Sequence, residues 1–68
     1  MKINQHQEVK MNVTPDLQYE VISILEGTLG FLLHDEEQYV RGFVDENYSM
    51  TTERLVNACY YNILARNF

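Results

Sequence analysis

From residue 15 onward the apolar positions recur in helical phase. With successive residues set about 100° apart, Phe31, Ile24, Leu17, Thr28, Val21, Leu32, Leu25, Leu29, Ile22 and Leu33 fall in an arc of roughly 200°. Glu20, Glu26, Ser23, His34, Tyr19, Gly27 and Gly30 take the other side. Thr14-Pro15-Asp16 supplies a start signal: a hydroxyl cap, a proline suited to the first helical position, and a carboxylate at the positive end of the helix dipole. Because a strand after Gly27 would not inherit the phase of the preceding helix, the pattern predicts one helix over 15–34 that runs through both glycines.

A second helix is predicted over 36–46. Tyr39, Val40, Phe43, Val44 and Tyr48 share one face, and Asp35 followed by Gln38 reads as a weak capping box. The run QYVRGFV is also rich in β-forming types, so a hairpin with 28–33 can be drawn, but the helix segregates the polar residues better. A third helix is predicted over 51–66, capped by Thr51, with Glu53 near its start and Arg66 near its end. Before these, Val9, Met11 and Val13 alternate with polar residues, which predicts an extended or β-like arm over 1–13. The expected fold is therefore all-α: a small three-helix bundle, one helical domain over 14–68, preceded by that arm.

In the third helix Leu55, Cys59, Ile63, Val56, Tyr60 and Leu64 already cover about 180°, enough for one core-facing side. Tyr61, Ala58, Ala65 and Phe68 lie beyond that arc. Tyr61 is therefore expected to face outward, and these four residues form a candidate contact surface. Ser23, Gly27 and Gly30 add a stripe of small residues on the polar side of the first helix, where another backbone could approach closely.

Size and charge narrow the function classes. The chain has 68 residues, a range in which a single core leaves little stability to spare, and oligomerisation is one common remedy. The one cysteine cannot form an internal disulfide, which argues for a reduced compartment. No leader-like or membrane-length apolar run is read, so the expected location is the cytoplasm. Ten acidic against five basic residues give a net charge of −5, unfavourable for direct nucleic-acid binding and suited to a basic partner.

Motifs with chemical content are few. His34 with Glu37, and His6 with Glu8, each offer two potential ligands, short of the three or four that zinc requires. Cys59 sits mid-arc, where a thiol behaves as a small hydrophobe, and no phosphate loop or nucleophile elbow can be drawn. No catalytic residue, metal or cofactor is assigned. The reading is a non-enzymatic, acidic protein–protein interaction module, self-associating, that regulates or inhibits a larger protein. Its size fits the small regulators that phages and mobile elements encode. The expected interface is Tyr61, Ala65, Phe68 and Ala58, with Ser23, Gly27 and Gly30. The alternatives are a nucleic-acid mimic, a weak helix-turn-helix DNA binder resting on Thr51, Thr52 and Arg54, and a purely structural homodimer.

Overall fold

A computed structural model describes the chain from residue 2, and its side chains from residue 15. Three α-helices follow in order: α1 (Lys2–Leu29), α2 (His34–Glu46) and α3 (Thr52–Leu64). All three pairs are in contact, and among the described residues there is no strand. The all-α three-helix architecture is thus the one the apolar periodicity predicts, and the 28–44 hairpin is excluded. The extended arm expected over 1–13 falls before the first described side chain. The backbone there follows α1 instead of an extended path, with Pro15 inside the helix. The alternation of Val9, Met11 and Val13 is short, and Lys, Gln, Glu and Met around it are good helix formers.

The core draws on every helix. Val21, Ile22 and Leu25 of α1, Val40 and Val44 of α2, and Leu55, Cys59 and Ile63 of α3 are buried together. Their spacings are those of one stripe per helix. Leu17, Leu29, Leu32, Tyr39, Phe43, Met50, Val56 and Tyr60 pack partly buried around them. The members from α2 are both valines, and Cys59 stands mid-way along the α3 stripe, so the centre is filled by small side chains that let the helices approach closely.

The helix ends depart from the expected 15–34, 36–46 and 51–66. α1 stops at Leu29, five residues early, because Gly30 takes a left-handed conformation (φ 98°). Its N–H donates to the Glu26 carbonyl at 2.8 Å, which closes the helix in the αL capping geometry. Phase alone could not detect this, since Leu29, Phe31, Leu32 and Leu33 are apolar in nearly every direction. α2 begins at His34 with Leu33 as its N-cap, not Asp35. Glu36, at the third helical position, reaches back so that its Oε1 accepts from the Leu33 N–H at 2.8 Å, which is the carboxylate half of a capping box.

α3 starts as predicted: the Thr51 hydroxyl accepts from the Arg54 N–H at 3.2 Å. It ends at Leu64, two residues before the expected boundary, in a Schellman motif. Arg66 is left-handed (φ 54°), its N–H donates to Ile63 and the Asn67 N–H donates to Asn62.

Gly27 and Gly30 thus have opposite roles, and alanine separates them. Gly27 lies in the last turns of α1 with open space where a Cβ would stand. Gly27→Ala is expected to raise unfolding free energy by about 0.5–1 kcal/mol. Gly30→Ala forces an L-residue into the left-handed region and is expected to lower it by about 1 kcal/mol. Urea unfolding of the two variants beside the parent measures both signs.

Candidate functional site

The seven residues expected to form an interface do not lie on one surface. Tyr61 is 68% exposed and its neighbour Ala65 is exposed, whereas Ala58 is half-buried. Phe68 leaves them, because the left-handed turn at Arg66 ends the helix and swings the chain back. Its ring stacks at 5.2 Å on Tyr39 of α2, which itself lies 5.9 Å from Phe43. Ser23 opens into a different place, a cleft between α1 and α2. Gly27 is exposed and touches nothing, and Gly30 is a turn residue outside the helix, so the expected small-residue stripe is not a continuous helical face.

The α1–α2 cleft has a volume of about 190 Å³ and is lined by Tyr19, Ile22, Ser23, Glu26, Glu37 and Arg41. Its polar wall is already satisfied. The Arg41 guanidinium donates to Glu37 Oε2 from two nitrogens, at 2.8 and 3.3 Å, and to Gln18 Oε1 at 3.0 Å. Gln18 in turn donates to the Asp45 carboxylate and, at 3.4 Å, to the Arg41 carbonyl. This cluster clamps α1 to α2. Both members of the ion pair are about one-third exposed, so the pair contributes on the order of 0.2–1 kcal/mol.

The second concavity lies at the end of the bundle where α1 and α3 finish and α2 starts. Leu29, Phe31, Leu33, Ile63 and Leu64 wall a groove of about 270 Å³, with Glu36 and Arg66 at its edge. Phe31 (67% exposed), Leu33 (44%) and Leu64 (56%) are open to solvent. The helical phase had placed all three in core-facing arcs. The signal for the first two was in the sequence, since an apolar run that follows a glycine able to end a helix cannot keep one phase. Leu64 is exposed because α3 ends there, and the last turn extends beyond the reach of its neighbours.

Glu36 is buried at 7% exposure, a position the sequence offered no reason to suspect. Besides the Leu33 N–H, its carboxylate meets Arg66 Nη1 at 3.8 Å. The Arg66 guanidinium also lies 6.0 Å from the centre of the Phe68 ring. Arg66 therefore links the α3 terminus both to α2 and to the Tyr39–Phe68 aromatic pair.

Two interior groups titrate away from their ordinary values. Burial lifts the Tyr39 phenol, the hydrogen bond from Asn62 Nδ2 at 2.6 Å works against that rise, and the Cys59 thiolate adds to it. Burial alone pushes the Cys59 thiol up to about 11. A thiol held neutral and enclosed by Leu55, Ile63 and their neighbours is a packing group, not a nucleophile. His34 and His6 gather no ligand set: among the described residues no cluster of three or more His, Cys, Asp and Glu side chains could hold a metal ion. Also among the described residues, no helix is long and apolar enough to cross a membrane.

Comparison with protein families, with curated proteins and with solved structures gives no match in any of the three. The site must be read from its own geometry.

The Cys59 shift carries a sign that can be measured. The folded state holds the proton to about 11 while the unfolded thiol releases it near 9.0, so its stabilising contribution is complete below pH 9 and is lost as pH rises towards 11. Relative to Cys59→Ala, the parent is expected to lose on the order of 2–3 kcal/mol across that window. Denaturant unfolding at pH 8 and pH 11 checks this, since both proteins share the same tyrosines.

Proposed function

We propose that this protein is a non-enzymatic interaction module that acts by binding another protein, as a small regulator or inhibitor does. The observation that carries the reading is the uncovered apolar band at one end of the bundle: Phe31, Leu33 and Leu64 around the groove, with Tyr61 one turn back on α3. Large apolar side chains grouped around a concavity and left uncovered by their own chain have the character of a recognition surface. The interior supports a binding role over a catalytic one. Its one thiol is enclosed and neutral, and the Arg41–Glu37–Gln18 cluster has its hydrogen-bonding capacity engaged between helices.

The expected interface is revised accordingly. Tyr61 and Ala65 stay in it, joined by Leu64, Phe31 and Leu33. Phe68 acts beside it by fixing the α3 terminus against Tyr39. Ser23, Gly27 and Gly30 drop out as contact residues, because they do not share this face. The acidic balance of the chain shapes which partners approach, through rate and orientation more than through affinity.

Site-specific photo-crosslinking tests the reading. A photoreactive side chain at position 64 or 61 is expected to give discrete protein adducts in cells that express the chain, while one at Gly42 on the exposed face of α2 gives none. Adducts between two copies would make the band a homo-oligomer interface, and adducts of another mass would identify a heterologous partner. Equal labelling from positions 64 and 42 would overturn the assignment.

A further inference from the structure

The geometry points to a specific kind of occupant for the groove between Leu29, Phe31, Leu33, Ile63 and Leu64: a cationic amphipathic segment of another protein, seated by an apolar side chain and flanked by Lys or Arg. This rests on the reading of that band as a contact surface and adds the chemistry of what covers it.

Shape gives the first half of the argument. At about 270 Å³ the groove falls just below the usual range of small-molecule sites, roughly 300–1,000 Å³, yet it holds a large side chain comfortably. Its walls come from two helix ends and the connection between α1 and α2, and its floor includes the buried Ile63. A shallow apolar trough of this kind takes the anchor residue of an amphipathic segment, with the rest of the segment lying along the rim.

Charge gives the second half. Of the ten acidic residues only Glu8 precedes residue 15, leaving nine in 15–68; of the five cations Lys2 and Lys10 precede it, leaving three arginines. Two of those three are already engaged, Arg41 by Glu37 and Arg66 by Glu36. The groove is flanked by exposed carboxylates, Asp35 two residues after Leu33 and Glu26 one turn before Leu29, and neither takes part in an ion pair among the described residues. A second copy of the chain would bring a net charge of −5 against −5. Self-association is therefore opposed by the same field that favours a basic segment, and the opposition is strongest at low ionic strength.

The test uses three synthetic amphipathic peptides that share one Leu- and Phe-bearing face and carry Lys, Gln or Glu on the other. Binding is followed by fluorescence anisotropy at low and high salt. The Lys peptide is expected to bind the full chain about tenfold more tightly than the Gln peptide at low salt, with the advantage shrinking as salt is added. Phe31→Ser combined with Leu64→Ser is expected to weaken the Lys peptide by about tenfold or more, with circular dichroism reporting the same helix content. Asp35→Asn with Glu26→Gln is expected to narrow the gap between the Lys and Gln peptides.

Lys-peptide binding that is untouched by the Phe31 and Leu64 changes would reduce the effect to diffuse surface charge and overturn the inference. Equal binding of all three peptides, abolished by those changes, would leave the contact surface standing and remove its charge preference. Binding of no peptide, with concentration-dependent dimerisation in sedimentation that Leu64→Ser abolishes, would assign the groove to a second copy instead. Binding of no peptide by a chain that stays monomeric would defeat this inference together with the reading beneath it.

Discussion

The close packing of a few small side chains at the meeting line of three helices is the contact on which everything else depends. Val40, Val44 and Cys59 keep the helices near one another, and Val21, Ile22, Leu25, Leu55 and Ile63 complete the interior. In so short a chain the buried fraction is low, and each of these side chains carries a large share of the net stability. The same economy governs the exterior. Tyr19, Ile24, Phe31, Leu33, Tyr48, Tyr61, Leu64 and Phe68 remain exposed, as many large apolar side chains as there are buried apolar ones among the described residues. Most of these are scattered singly, which is ordinary for a small protein. Phe31, Leu33 and Leu64 are distinguished by sharing one concavity.

Polar interactions set the geometry of the bundle more than its stability. The Arg41 cluster joins α1 to α2 along one seam, and the Asn62–Tyr39 hydrogen bond joins α3 to α2 along another. Glu36 works at the end of the bundle: it fixes the start of α2 through the Leu33 N–H and offers its second oxygen towards Arg66. One buried carboxylate thus ties the entry of α2 to the exit of α3, and it borders the groove it helps to shape. Arg66 is held in a left-handed conformation that glycine would adopt with less strain, and its contacts to Glu36 and Phe68 give a reason for arginine there.

The fold was legible in the sequence wherever apolar spacing and a polar cap agreed. Leu55, Cys59 and Ile63 recur every four residues behind Thr51, and α3 begins where that pattern places it. Val40 and Val44 likewise located α2 despite their β-forming character. Legibility failed at Leu29 to Leu33, where uniform apolarity erased the phase and the backbone conformation of Gly30 decided the outcome. It failed again at Phe68, whose place follows from a turn at Arg66 that no glycine announces. Of the contact surface, Tyr61 could be read from the overfilled wheel of α3. Phe31 and Leu33 could not, because their exposure depends on where α1 stops.

The two connections are short: Gly30 to Leu33 between α1 and α2, and Asn47 to Thr51 between α2 and α3. Neighbouring helices are therefore also neighbours in sequence, so little loop entropy opposes their pairing and the topology is of low contact order. A chain so organised reaches its native arrangement quickly. The groove, formed where one connection meets the end of the last helix, is the part of the molecule completed only when all three helices have docked. Any unfolding that detaches α3 erases the groove while the α1–α2 hairpin persists, which makes the recognition surface an indicator of the integrity of the whole bundle.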